Sequence, residues 1–282
     1  MGSSNSKKPL IVEEQLPSSS QDNHLNDVGA RAIKQLKTKL ETSNSLQQQI
    51  QKLFKQEPSQ IVKINLHCNK IDDDSLKSLA NCTQWTNLRT LHLENKKIGD
   101  SGITAFELSR RNWTSLQELY LHRNQIGDAG ITILASNSNW KNLRTLVLTN
   151  NKIGSVGALA LGANTSWINL QVIHLSQNNL GDKGAIALSA NASWKNLQKL
   201  FLSKTNIGNE GAASLGNCHT WSKLQELHLS CNKIGNEGAI SLVSNSSWKC
   251  LQVLALQGNP ITNEAFAILA STELCQGLQE LR

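Results

Sequence analysis

Residues 140–167 read WKNLRTLVLTNNKIGSVGALALGANTSW, opening and closing on tryptophan. The seven tryptophans of the 282-residue chain are Trp85, Trp113, Trp140, Trp167, Trp194, Trp221 and Trp248, spaced by one interval of 28 and five of 27. Six residues after each stands an apolar pair: Leu91/Leu93, Leu119/Leu121, Leu146/Leu148, Ile173/Leu175, Leu200/Leu202, Leu227/Leu229 and Leu254/Leu256. Ile64/Leu66 is an eighth copy without its tryptophan, and Asn69, Asn124, Asn151, Asn178, Asn232 and Asn259 follow their pairs at a fixed offset. A constant period of this length marks stacked supersecondary units, each too small to bury its apolar face alone.

Within one unit the LxL stretch has strand periodicity, which turns both leucines inward and the intervening side chain outward. The Gly-Asp, Gly-Asn or Gly-Ser that follows predicts a turn and a helix N-cap at Asp100, Asp128, Ser155, Asp182, Asn209 and Asn236. Gly-Ala-x-x-Leu then places small residues and a leucine on one helical face. The Asn column has the amide chemistry to satisfy backbone groups at the bend from strand to helix. Lys96 and Thr205 interrupt it, which predicts looser backbone geometry at those two repeats. The tryptophans are expected in the core, where each ring buries about 150–250 Å², worth at most roughly 4–6 kcal/mol.

The unit LxxLxLxxNxIGDxGAxxLxxNxSWxN resembles the ribonuclease-inhibitor class of leucine-rich repeat over about residues 59–282. The resemblance implies an α/β solenoid, a horseshoe of about eight repeats of 27 to 28 residues with a parallel concave sheet and convex helices. Residues 61–282 form the expected repeat domain, 21–60 a helical cap or divergent repeat, and 1–20 a flexible tail. The chain stops halfway through a further LxxLxL, and no C-terminal cap is evident.

Lysine plus arginine exceed aspartate plus glutamate by 28 to 21, but without a dense basic block, which argues against nucleic acid as a partner. No apolar run is long enough for a membrane span or a secretory signal, so the expected compartment is cytoplasmic. Six cysteines with no CxxC pair fit ordinary thiols in a reducing environment. Met1-Gly2-Ser3-Ser4-Asn5-Ser6 matches the acceptor for N-myristoylation at Gly2, and one acyl chain would give reversible membrane contact only. The sequons at Asn81, Asn112, Asn164, Asn191 and Asn245 are by-products of the repeat and are expected to stay unmodified.

Three outward positions per strand line the expected concave wall. Five of the seven histidines occupy them, His67, His92, His122, His174 and His228, where an even spread would place fewer than one. Tyr120 and Phe201 are there too, and Glu94 completes a candidate partner-binding set of exposed aromatics and imidazoles with polar tips. His67, Glu94 and His122 should form one lateral row, with His92 and Tyr120 in the next. These ligand types suit zinc, but the sheet splays them, so no metal and no cofactor is expected. The carboxylate beside the imidazoles predicts a bias toward their charged form and pH-sensitive binding near neutrality.

No P-loop, GxSxG or HExxH motif is present, so the expected role is non-enzymatic: an adaptor holding a protein or peptide on the concave face. The net charge of +7 favours an acidic partner. A substrate-recruiting or innate-immune-sensor fragment is the alternative. A Ran-GTPase-activator-like regulator ranks below it, because the acidic C-terminal tail of that group is missing.

Overall fold

The computed structural model describes residues 61–65, 73, 76, 85–95, 97–109 and 113–281. The expected tail and cap over 1–60 lie outside the described residues, as do Gly2, His67 and Lys96. Nine short strands form one parallel sheet in chain order: β1 Lys63–Asn65, β2 Thr90–His92, β3 Glu118–Tyr120, β4 Thr145–Val147, β5 Val172–His174, β6 Lys199–Phe201, β7 Glu226–His228, β8 Val253–Ala255 and β9 Glu280–Leu281. The ninth strand is one more than the eight inferred from LxL pairs. It adds to β8 through the N–H groups of Gln279 and Glu280, both donating to the Gln252 carbonyl.

Helices alternate with the strands: α1 Asp100–Ser109, α2 Asp128–Ala135, α3 Ser155–Gly162, α4 Gly181–Ser189, α5 Asn209–Gly216, α6 Asn236–Val243, α7 Asn263–Ala270 and the short α8 Glu273–Gln276. Isolated helices of eight to ten residues would not persist in water. Here α2 to α7 survive because each buries Ala and Leu side chains in the core that the strand leucines share. All seven tryptophans are buried, none more than 3% exposed, and join the leucines in one continuous core. The result is an open α/β solenoid, the expected horseshoe of leucine-rich repeats.

The Asn column stitches consecutive repeats together. Asn178 Nδ2 donates to the carbonyls of Leu148 (3.0 Å) and Leu175 (2.8 Å), while its Oδ1 accepts from the Ile153 N–H at 3.1 Å. Asn124, Asn151, Asn232 and Asn259 repeat this pattern. Where the column is interrupted the backbone alters in a definite way. The buried Thr205 hydroxyl donates to the Leu202 carbonyl at 2.6 Å, and the next residue, Asn206, takes a left-handed φ of 62°. Lys97, after the other interruption, has φ 57°. In the repeat before Thr205, Gly181 adopts φ +61° and donates its N–H to the Thr205 carbonyl, and α4 begins there.

Five of the six expected N-caps, all but Ser155, face a different helix. Asp128 is the first residue of α2, and the cap position, Gly127, has no side-chain cap bond. The Asp128 Oδ1 instead accepts from the N–H groups of Gly154 (2.6 Å) and Gly157 (2.9 Å), at the start of α3. Asp100, Asp182 and Asn209 do the same for the following repeat. A short side chain at the first helical residue projects sideways, so it meets the orphan N–H groups of the neighbouring helix start rather than its own. Close approach needs glycine: a Cβ on Gly157 would lie 2.7 Å from the Asp128 Oδ1.

Candidate functional site

The outward side chains fall into three lateral files across the sheet. In register, the middle file runs Asn65, His92, Tyr120, Val147, His174, Phe201, His228 and Ala255. Below it run Thr90, Glu118, Thr145, Val172, Lys199 and Glu226. Above it the ladder continues past the strand ends, where the carbonyls of His122, Thr149, Ser176, Ser203, Ser230 and Gln257 each accept from the preceding repeat. Glu94 and His122 are therefore lateral neighbours, as expected, and a file of hydroxyls extends their row.

The rings of the middle file stack. His92 lies on Tyr120 with centroids 4.3 Å apart and planes 2° from parallel. His174 lies on Phe201 at 3.6 Å and 7°, and Phe201 on His228 at 4.4 Å and 16°. The spacing follows from the fold, since parallel strands lie about 4.8 Å apart and offset rings attract at that separation. Each ring is half-buried between its neighbours and open on top. Val147 divides the file into two stacks.

Each stack carries its own polar edge. Beside the first, Glu118 Oε2 accepts from the Tyr120 and Thr90 hydroxyls, both at 3.3 Å, and His92 Nδ1 lies 3.6 Å from Glu94 Oε2. Burial, then the Glu118 carboxylate, pushes the Tyr120 phenol above its ordinary pKa. Beside the second, Lys199 Nζ donates to Glu226 Oε1 at 2.6 Å and His228 Nε2 meets Glu226 Oε2 at 3.1 Å. The Lys199 bond holds the Glu226 carboxyl below the usual carboxylate range, against burial. Thr149 Oγ1 lies 3.2 Å from His174 Nδ1 and orients that ring.

Two expectations are corrected here. His122 and His174 are not biased toward the charged form: burial lowers His122 despite the Glu94 carboxylate, and burial with the His228 and His122 imidazoles lowers His174 to about 4. At His122 desolvation outweighs the neighbouring carboxylate. The acidic partner drawn from the whole-chain balance does not suit this wall. The described wall positions carry Lys63 and Lys199 against Glu94, Glu118, Glu226 and Glu280. Arg89, Arg123, Arg144 and Lys152 stand beside the wall and not on it.

A second asparagine file lies beneath the sequons. Asn191 Nδ2 donates to the carbonyls of Gly162 and Asn164, both at 2.7 Å, and Asn164 and Asn245 make similar bonds one repeat back. These amide nitrogens are buried and engaged, so the folded chain offers none of the three to a glycosyltransferase.

Family comparison matches residues 114–161 to a model of two leucine-rich repeats, and residues 168–189, 195–216 and 222–243 to a model of a single leucine-rich repeat. The chain carries leucine-rich repeats. No curated protein matches it in sequence. Among solved structures, the leucine-rich-repeat chain is similar to a plant ice-binding protein, with TM-score 0.55 and 17% identity over 91% of this chain and 78% of that one. That likeness concerns the fold alone. A leucine-rich-repeat protein of Leptospira interrogans aligns at TM-score 0.47 and 22% identity over 72% of this chain and 45% of that one. TLR13 in complex with ssRNA13 aligns at TM-score 0.47 and 18% identity over 82% of this chain and 34% of that one. The repeats here thus span from a third to under half of the length of those two proteins. Among the described residues no helix is long and apolar enough to cross a membrane.

Proposed function

We propose that this chain is a non-enzymatic binding module of ribonuclease-inhibitor type that holds a peptide or protein segment on its concave wall. The observation that carries this reading is the file of stacked, upward-open rings from His92 to His228, flanked by hydroxyls and carboxylates. Rigid aromatics supply apolar contact area at little cost in side-chain entropy, with polar edges to fix orientation. Each ring is backed by at least one stacked neighbour, so little ordering remains to be done on binding.

Affinity capture from source lysate, comparing the parent with a His92→Ala/Tyr120→Ala/Phe201→Ala variant, tests it. The variant keeps every core leucine, and its urea transition checks that it folds. Loss of captured partners supports the wall as the binding face, and full retention by a folded variant overturns it. The same reading places the protein in the cytoplasm, with reversible membrane contact only through an acyl group on Gly2. Intact mass after expression in a eukaryotic host tests that group.

A further inference from the structure

The two ring stacks end facing one another across Val147. In the register, Val147 pairs with Tyr120 on one side and with His174 on the other. Tyr120 is covered on its far face by His92 and His174 by Phe201, with planes within 7° of parallel. Their remaining faces therefore turn toward the half-exposed valine, which is too short to fill the file. Two strand spacings separate the flanking residues by about 9.6 Å. Stacked neighbours in this wall stand 3.6 to 4.4 Å apart, so that width admits one inserted ring.

We propose that Val147 floors a slot for one planar side chain of a peptide partner, clamped between Tyr120 and His174, with a basic residue beside that ring set against Glu118. This rests on the concave wall being the binding face. The floor is aliphatic and both walls are aromatic, which suits a Trp, Tyr or Phe side chain. From β2 to β5 the charged wall residues are Glu94 and Glu118, with no lysine or arginine among them. Arg89, Arg123 and Arg144 stand one residue beyond the wall, on its rims. On the wall itself the fixed charge beside the slot is acidic, so a cationic peptide is the complementary occupant.

The test uses the full chain with labelled valine methyls and acetyl-Trp-Arg-amide as probe. Saturable upfield shifts of the Val147 methyls are expected, with acetyl-Ala-Arg-amide giving none and acetyl-Trp-Glu-amide binding more weakly. Val147→Phe should weaken the probe about tenfold by completing the ring file, while Val147→Ala retains it. An unmoved Val147, or equal shifts with the alanine probe, overturns the slot. Equal binding of the glutamate probe overturns the cation, and tighter binding of a short oligoadenylate overturns the peptide. Partners lost from the triple variant yet kept by Val147→Phe would remove the slot and leave the wall standing, whereas retention by both would remove both.

Discussion

The carboxylate of Asp128 accepts from the backbone N–H of Gly154 at 2.6 Å, so the residue that opens one helix caps the next. This makes the helix starts a directional relay along the solenoid, interrupted between Ser155 and Gly181. Asp128→Ala strands the N–H groups of Gly154 and Gly157 and should cost about 1–2 kcal/mol. Asp128→Asn should cost less, because Asn209 already performs the same task for Gly235 at 2.7 Å. Urea unfolding midpoints of the three proteins check the order.

Asn178 tests the ladder on the strand side. Its removal as Asn178→Ala leaves the Leu148 and Leu175 carbonyls and the Ile153 N–H without this partner in a buried site. A loss of about 2–4 kcal/mol is expected. Asn178→Asp keeps the acceptor but sets a carboxylate against two carbonyls, so it should be no milder than alanine. Equal stability of the aspartate variant and the parent, in the same urea assay, would contradict the donor role.

Two glycines should respond to alanine for different reasons. At Gly216 a Cβ would run into the Ser241 carbonyl of the adjoining helix, a backbone atom that cannot swing aside. The clash should outweigh the roughly 1 kcal/mol that alanine gains in helix propensity, for a net loss of about 2 kcal/mol. At Gly181 nothing lies within 4 Å, but φ is +61°. Alanine there should cost about 1 kcal/mol of backbone strain with no change in helix spacing. Differential scanning calorimetry gives both values.

Stability should fall in acid through His174. Its folded pKa is lowered to about 4 by burial and by the His228 and His122 imidazoles, with Glu226 opposing. Between about 6.5 and 4 the unfolded chain takes up a proton that the folded one excludes, so the contribution is complete above pH 6.5 and fades below it. Allowing for screening by water over this partly exposed ring leaves about 1–2 kcal/mol. His122, also lowered, acts in the same direction. Urea midpoints at pH 7.5 and 4.5 should drop further for the parent than for His174→Phe, which removes the proton site and keeps a ring in the file.

The core was legible because its signal is periodic: Trp at a 27-residue interval and Leu at every second strand position specify register without knowledge of distances. The files on the wall followed from that register, including the adjacency of Glu94 to His122 and of His92 to Tyr120. Ring orientation did not, since adjacency alone leaves stacking and splaying equally open. The cap of Asp128 was misassigned because capping rules are local, whereas its true partners are 26 and 29 residues away. Burial of His122 and His174 misled in the same manner, for a sequence shows which charges are near but not how much water is excluded. The asparagines under the sequons resembled turn residues, and only the packed structure shows them bonded to the repeat before.

The relay of helix starts also bears on how such a chain can change length. Away from Ser155, excising one whole 27-residue unit rejoins an acceptor to a waiting donor, so the shortened protein closes over the gap. Excising a fraction of a unit leaves a mismatched seam on both sides. Growth and loss in this molecule are therefore quantised, and its wall can be widened or narrowed only one file position at a time.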